Sequence, residues 1–238
     1  MSSVPSSEPE TSSNETTTRQ TAGVILAGGR SRRMGEDKTA LRLPGLQGRS
    51  LLEWTAERLA AVMDRWVVAD AGRGLLPGAE SVADGPGAGP AAGLLGAARH
   101  FPNHHLLALA CDLPLVPIDL LRRLVDEPGD WLVPESAHGL QPLCARYAPA
   151  VLECLQNQVA AGDLSLRSLA KTQSKPTPAA KWFLRSFRTD TLGLDLPDGL
   201  SSEALFLNVN RPDDLASVEG LLEKEEISRF LRLGSTKR

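Results

Sequence analysis

The chain has 238 residues, of which 42% are hydrophobic and 23% charged, and its formal net charge at pH 7 is −3. This length is enough for one α/β domain with a substantial core, and the composition is that of an ordinary globular protein. The acidic balance argues against broad nucleic-acid binding, which requires a basic face. No apolar stretch reaches the roughly 18 residues of a membrane span, so we expect no membrane segment.

Residues 1–20 are rich in Ser, Thr, Glu and Pro and lack the basic start and apolar middle of a secretory signal. Such a segment buries too little apolar surface to offset the entropy of ordering, so we predict a disordered tail. We expect one domain over residues 21–222, followed by a charged, solvated helix and tail at 223–238. The three cysteines are odd in number and lack metal-ligand spacing, which indicates reduced thiols and a cytoplasmic location.

From Thr21 onward, short apolar runs alternate with helical patterns, which is typical of βαβ units and a mostly parallel sheet. The predicted strands are 22–27, 66–70, 105–112 and 204–210, with shorter extended segments at 131–134 and 141–147. The predicted helices are 50–64, 94–101, 117–127 and 148–162, with a final helix opened by Pro212. Ser50 and Glu53 have the spacing of a capping box at the start of the first helix.

The segment LAGGRSRRMGEDK, residues 26–38, combines a glycine pair with four cations. A strand that ends in glycine lets the backbone present N–H groups to an anion, and Lys38 can bind a phosphate as a point charge. The spacing from Gly35 to Lys38 does not match a Walker A loop. A solvated basic loop would have the same composition, but its place at the carboxyl end of the first strand favours phosphate binding.

Two aspartates follow predicted strands. Asp112 ends the most apolar strand, where its carboxylate needs a cationic partner, and Mg²⁺ could bridge it to a triphosphate. Asp112 could instead cap the helix that follows. Asp84 precedes a glycine-rich loop and fits either a turn or a ligand contact.

A second glycine cluster suggests a different class of protein. Gly87, Gly89 and Gly93 approximate the dinucleotide fingerprint of an NAD(P)-binding oxidoreductase, with one residue too many. Asp112 lies about where that fold has its ribose-binding acid. This hypothesis leaves the cations of residues 30–38 without a role.

Asn208 and Asn210 alternate along the last predicted strand, so both amides are expected on one face. They could cap the helix opened by Pro212 or orient a polar ligand, and the sequence does not separate these interpretations.

Leu-Ala-Gly-Gly, Arg-Met-Gly, Asp-Lys, GPAAG, CDLP and NVNRPDDL occur in this order along the chain. The ordered set resembles the molybdenum cofactor guanylyltransferase family, within the nucleotidyltransferases that have a Rossmann-like domain, and the resemblance covers about residues 21–222. It implies a three-layer α/β/α fold with a mostly parallel central sheet. It also implies transfer of GMP from GTP to the terminal phosphate of molybdopterin or Mo-molybdopterin, with release of pyrophosphate.

The resemblance further implies residue roles. The implied GTP-binding residues are Leu26, Ala27, Gly28, Gly29, Lys38, Asp84 and Asp112. Lys38 and Asp112 would carry catalysis, with Mg²⁺ on Asp112, and Asn208 and Asn210 are associated with the pterin side. Other cofactor-biosynthesis proteins and molybdoenzymes are possible further partners, whereas nucleic acid is not expected.

Two departures from the family pattern stand out. Ala69 and Asp70 occupy the place where a nucleotide-contacting asparagine usually ends the second strand, and Arg211 replaces the usual threonine before Pro212. No residue reads guanine directly, so a related nucleotidyltransferase that uses CTP or a sugar phosphate remains an alternative.

Overall fold

A central mixed sheet organises the chain in the computed structural model, which describes residues 21–28, 38–172, 184–188 and 194–234. The tail predicted at 1–20 lies outside these residues. Gly29 and the loop arginines Arg30, Arg32 and Arg33 also lie outside them.

Eight strands form the sheet within the described residues. They are β1 (Thr21–Leu26), β2 (Trp66–Ala69), β3 (Ser81–Val82), β4 (His105–Ala110), β5 (Trp131–Ser136), β6 (Gly139–Leu140), β7 (Cys144–Tyr147) and β8 (Leu184–Arg188). Their order is β3-β2-β1-β4-β7-β5-β6, and β8 also pairs with β5. Strands β1 to β4 are parallel, and β7 runs antiparallel to both β4 and β5. The prediction of a mostly parallel sheet is confirmed.

The described helices flank this sheet in two groups. They are α1 (Leu51–Ala60), α2 (Gly89–His100), α3 (Ile118–Asp126), α4 (Pro149–Ala160), α5 (Leu169–Thr172), α6 (Pro212–Leu222) and α7 (Glu225–Leu233). Helix α2 packs on α4, whereas α3 packs on α1 and α7. This arrangement is the predicted three-layer α/β/α architecture. None of these helices has the length and apolar character needed to cross a membrane.

The pairing of β1 with β4 forms the centre of the core. Every residue of β4 is buried, and β1 is buried from its second residue onward. Both strands are apolar on both faces, as expected where helices cover each side of a parallel sheet. The register pairs Leu26 with Ala110, so the carboxyl ends of β1 and β4 meet at one edge of the sheet.

The predicted capping box of α1 is confirmed. The backbone N–H of Glu53 donates to Ser50 Oγ at 3.2 Å, and the backbone N–H of Ser50 donates to Glu53 Oε2 at 2.6 Å. These reciprocal bonds satisfy two of the N–H groups that the start of a helix leaves open.

The prediction of a strand at 204–210 is wrong. Ala204–Phe206 form a single 3₁₀ turn, and residues 207–210 have no regular structure. Leu205 and Phe206 are consecutive and both buried, which a half-buried strand cannot achieve because its side chains alternate between faces. The backbone N–H of Val209 donates to the carbonyl of Asp112 at 3.0 Å, which anchors the segment beside β4 without a ladder.

Two further expectations change. Helix α2 begins at Gly89, within the predicted glycine-rich loop, because Pro90 presets the helical φ angle of its first turn. The expected solvated helix near the C-terminus is α7, but Ile227, Phe230 and Leu231 are buried, so one face of it packs on the core.

Two helical glycines give a matched test of the packing of α2 on the sheet. A Cβ at Gly96 would collide with the carbonyl oxygen of Ala83, whereas a Cβ at Gly220 in α6 would meet no atom within 4 Å. We expect Gly96→Ala to lower the free energy of unfolding by about 1–3 kcal/mol, the usual cost of overpacking. Gly220→Ala should raise it by about 0.5–1 kcal/mol, because alanine reduces the entropy of the unfolded chain. Urea denaturation followed by circular dichroism measures both, and a neutral Gly96→Ala would contradict this packing.

Candidate active site

Three strand ends form the floor of the candidate site. The carbonyl of Leu26 accepts a hydrogen bond from the N–H of Cys111 at 3.2 Å, and the N–H of Ala27 donates to the carbonyl of Ala69 at 3.1 Å. The backbone at Leu26 and Ala27 therefore lies between the ends of β2 and β4. Ligands of open α/β sheets bind at such an edge, beyond the carboxyl ends of the strands.

Gly28 and Asp84 come together above this floor. A Cβ at Gly28 would lie 4.0 Å from Asp84 Oδ1 and 3.5 Å from the carbonyl oxygen of Ala69. Both residues are exposed at the end of the sheet, where Asp84 follows β3. Asp84 is therefore accessible to a ligand that lies over Gly28.

Lys38 and Asp112 form a charge pair at the same edge. Lys38 Nζ lies 3.9 Å from Asp112 Oδ2, and the two side chains are only 15% and 21% exposed. Asp112 comes shortly after β4, and Lys38 begins the 3₁₀ turn Lys38–Ala40. The residues that the sequence singled out for phosphate and metal binding are thus neighbours.

Burial dominates the electrostatics of Asp112. It raises the pKa of the Asp112 carboxyl above its ordinary value, while the Lys38 ammonium and the amide of Asn208 act in the opposite direction. The charge and hydrogen bonds that the protein supplies therefore do not fully offset the cost of burying the charged carboxylate. A bound cation would supply the missing charge.

The oxygen atoms at Asp112 fit a divalent cation. Asp112 Oδ1 and Asn208 Oδ1 are both buried without a hydrogen-bond partner of normal geometry among the described residues. Carboxylate and amide oxygens are ligands of Mg²⁺, which commonly uses one or two carboxylates together with substrate phosphates. No cluster of three or more His, Cys, Asp or Glu side chains suited to a metal occurs in the described ranges.

The asparagines reach this pair by a different route from the predicted one. Asn210 Oδ1 accepts a hydrogen bond from Lys38 Nζ, and the Asn208 amide lies at Asp112. Neither amide caps α6, because Asp214 Oδ2 accepts hydrogen bonds from the backbone N–H groups of Asn210 and Arg211 at 3.0 and 2.8 Å. The side chains are directed at the site, and Arg211 provides no side-chain cap.

Asp70 has a structural role. It is fully buried, and its carboxylate accepts hydrogen bonds from the N–H of Arg73 at 3.1 Å, the N–H of Leu75 at 2.8 Å and the hydroxyl of Ser81. Both carboxylate oxygens are thus used to shape the turn after β2. Asp70 does not present them to a ligand in place of the asparagine usual in the resembled family.

Arg73, which sequence reasoning missed, ties that turn to the end of β1. Its guanidinium donates to the carbonyl of Asp70 at 2.8 Å and to the carbonyl of Ala27 at 3.0 Å. The only sequence signal was a basic residue soon after β2.

A cavity of about 540 Å³ begins at Leu113, the residue that follows Asp112. Its polar lining includes Ser136, His138, Gln141, Arg167 and Glu203, and Leu113, Leu143 and Phe206 are among its apolar residues. Asn208 lines this cavity and also lies at Asp112. The cavity and the charge pair are therefore adjacent compartments of one crevice.

Gly93, the last member of the second glycine cluster, has a packing role. A Cβ at Gly93 would lie 3.2 Å from Ala69 Cβ and 3.2 Å from Leu26 Cδ2, so Gly93 allows α2 to approach the sheet closely. The cluster follows β3, a two-residue strand at the sheet edge, whereas a dinucleotide fingerprint follows a central strand. This location does not favour the oxidoreductase hypothesis.

Known proteins and a family model are similar to this chain over most of its length. The family model described as MobA-like NTP transferase domain matches residues 23–177. A molybdenum cofactor guanylyltransferase from Cereibacter sphaeroides is 34% identical over 212 residues, which cover 85% of this chain and 97% of the relative. A probable molybdenum cofactor guanylyltransferase from Deinococcus radiodurans is 37% identical over 203 residues, which cover 82% of this chain and 92% of the relative.

Solved structures share the fold. Molybdopterin-guanine dinucleotide biosynthesis protein A from Archaeoglobus fulgidus has a TM-score of 0.67 at 24% identity, over 86% of this chain and 100% of that one. Rv0371C from Mycobacterium tuberculosis, in complex with manganese, has a TM-score of 0.56 at 21% identity, over 86% of this chain and 99% of that one.

The raised pKa of Asp112 predicts a pH-dependent gain in stability when the carboxyl is made neutral. A carboxyl whose pKa is higher in the folded than in the unfolded state destabilises the fold above its folded pKa, and this penalty disappears below the unfolded pKa of about 3.9. In buffer with EDTA, we expect Asp112→Asn to raise the Tm at pH 7. The gain should shrink as the pH approaches 4. Differential scanning calorimetry of both proteins measures it, and a lower Tm for the variant at pH 7 would contradict the assignment.

Proposed function

We propose a function from one premise: this chain belongs to the molybdenum cofactor guanylyltransferase family and contains its MobA-like NTP transferase domain. On this basis, the protein transfers GMP from GTP to the terminal phosphate of molybdopterin or Mo-molybdopterin and releases pyrophosphate. The observation that carries the proposal is the half-buried pair of Lys38 and Asp112, 3.9 Å apart, at the edge where β1 and β4 end.

The nucleotide would lie over the ends of β1 and β2. Backbone groups of Leu26, Ala27 and Gly28 line this edge, and Asp84 faces Gly28 from β3. Lys38 stands beside the position proposed for the phosphates. The role of Gly29 stays a prediction, because it lies outside the described residues.

The reaction needs positioning and charge neutralisation more than a protein nucleophile. An oxygen of the acceptor phosphate attacks the α-phosphorus of GTP in line, and the bond from the α-phosphorus to the bridging oxygen breaks as pyrophosphate leaves. Lys38 holds a positive charge where negative charge develops on the phosphate oxygens, and Asn210 orients its ammonium group. Mg²⁺, held by Asp112 with the amide oxygen of Asn208 as a second ligand, would neutralise phosphate oxygens when bound.

The acceptor would occupy the cavity beyond Asp112. Its polar lining can form hydrogen bonds to a pterin ring, and its apolar wall can pack on the ring faces. Asn208 joins the cavity to the charge pair, so a ligand in the cavity can present its phosphate to the nucleotide. This extends the association of Asn208 with the pterin side to a defined compartment, whereas Asn210 lies at Lys38.

We also propose a cytoplasmic location. The three cysteines all lie among the described residues and form no disulfide bond, as expected of a protein in a reducing compartment. Interactions with other cofactor-biosynthesis proteins and with molybdoenzymes stay predictions.

Replacing either member of the charge pair tests the chemistry. We expect Lys38→Ala and Asp112→Ala each to lower turnover at least about 100-fold, the scale of losing one preorganised charge contact. Release of pyrophosphate from GTP, with Mg²⁺ and molybdopterin present, measures turnover. Arg122→Ala is a matched control, because Arg122 is an exposed cation of α3 paired only with Asp119 among the described residues.

A folded Asp112→Ala protein with near-normal GMP transfer would contradict this mechanism. In the same assay, CTP and UTP replace GTP in turn. Equal or faster release from CTP would favour the alternative of a related nucleotidyltransferase.

Filling the cavity separates the acceptor side from the nucleotide side. Ala204 lines the cavity, so we expect Ala204→Phe to raise the KM for molybdopterin at least about tenfold, equivalent to about 1.4 kcal/mol. The Kd for GTP, measured by calorimetry, should change less than about twofold. That corresponds to a much smaller free-energy change than the tenfold change in KM. Ala160→Phe, at an exposed position at the end of α4, is the control. An unchanged KM for molybdopterin in folded Ala204→Phe would show that the acceptor does not bind in this cavity.

A further inference from the structure

Arg58 in α1 is a buried cation that the proposed reaction does not use. Its side chain is 0% exposed, and among the described residues no carboxylate forms an ion pair with it. Desolvation lowers the pKa of Arg58 to about 9, so the guanidinium remains charged at neutral pH. Because a buried charge without a counter-ion is costly, its hydrogen bonds must compensate.

All but one of those hydrogen bonds converge on one segment of backbone; the exception is Nε, which donates to the carbonyl of Trp54 at 3.4 Å within α1. The guanidinium donates to the carbonyls of Pro114 at 2.9 Å, Val116, and Leu113 at 3.4 Å. The indole N–H of Trp54, one turn earlier in α1, also donates to the carbonyl of Pro114, at 2.9 Å. Four N–H groups of α1, three from Arg58 and one from Trp54, therefore donate to carbonyls of residues 113–116.

This segment directly follows Asp112. Leu113 and Val116 are buried, so their carbonyls would lack water if the guanidinium were removed. The proline at 114 has no N–H group, which limits the hydrogen bonds that the segment can form within itself. On the other side, the carbonyl of Asp112 accepts the N–H of Val209 at 3.0 Å. The backbone of Asp112 is thus held from two directions.

We propose that Arg58 is a positioning residue that fixes the Asp112 carboxylate opposite Lys38 by holding the carbonyls of residues 113–116. The inference rests on the proposed role of Asp112 in binding a divalent cation and GTP. Arg58 itself touches neither Lys38 nor the crevice, and acts through the backbone. A displacement of about 1 Å at a reacting group is enough to cost two orders of magnitude in rate.

Three variants remove different numbers of the hydrogen-bond donors that bind residues 113–116. Arg58→Met keeps the approximate length of the side chain and removes every donor, Arg58→Lys keeps the charge and loses the planar fork, and Trp54→Phe removes only the indole donor. Arg122→Met, at an exposed site of α3, is the matched control. All are measured well below their Tm, where each protein is folded by circular dichroism.

The readouts are kcat for GMP transfer and the affinity for Mn²⁺, measured by electron paramagnetic resonance with and without GTP. We expect Arg58→Met to lower kcat at least about tenfold and to weaken Mn²⁺ binding by a similar factor, a modest part of the rate that a 1 Å displacement can cost. Arg58→Lys should lower kcat and Mn²⁺ affinity less than Arg58→Met, and Trp54→Phe should lower them less than Arg58→Lys. Arg122→Met should change neither quantity. A residue that only stabilised the fold would lower the Tm and leave Mn²⁺ affinity unchanged.

A folded Arg58→Met protein with wild-type kcat and Mn²⁺ affinity would overturn the inference. If Arg58→Met does not fold, Arg58→Lys decides in the same way. Failure of the proposed function looks different, because the wild type itself would then release no pyrophosphate. The Mn²⁺ titrations would still test the effect of Arg58 on Asp112.

Discussion

The parallel pairing of β1 with β4 is the constraint on which the candidate site depends. It brings the ends of two strands that are distant in sequence to one edge, so that Asp112 emerges beside the backbone of Leu26 and Ala27. Every residue of β4 is buried, and the carboxylate of Asp112 is therefore held close to an apolar interior. That position raises its pKa and makes a cation beside it favourable, whether Lys38 or a metal ion. The packing of the core thus buries a carboxylate that needs a positive charge beside it, and the site provides Lys38 at that position.

Buried charges elsewhere in the molecule organise backbone. Asp70 collects N–H groups of the turn after β2, and Arg58 collects carbonyls of the segment after β4. Arg146 in β7 does the same for the carbonyl of Val125 in the last turn of α3 and for those of Glu127 and Gly129 just after it. The first two shape loops at the edge that carries the candidate site, whereas Arg146 acts at the opposite end of α3. Burial of a charge is therefore no sign of a ligand site by itself, and what matters is which loop the charge holds.

The sequence predicted the parts of the site that follow from strand topology. Apolar runs at β1 and β4 and the glycine and aspartate after them suffice to place Gly28 and Asp112 at one edge, because parallel strands end together. Roles that depend on distant partners could not be predicted. Arg58 lies in α1 among apolar residues, one turn after Trp54, but its partners at 113–116 are fixed only by tertiary packing. Asp70 likewise is a residue type that often contacts ligands, but the structure shows its carboxylate bound to the turn after β2.

The failed strand prediction bears on how the site works. In a strand, Asn208 and Asn210 would share one face and meet the same environment. The irregular segment 207–210 instead directs one amide to each member of the charge pair, Asn208 to Asp112 and Asn210 to Lys38. Asn208 also lines the cavity proposed for the acceptor. The same short segment therefore contacts both the charge pair and the cavity. A regular strand would have separated these contacts, and the local pattern of apolar and polar residues gives no indication of the difference.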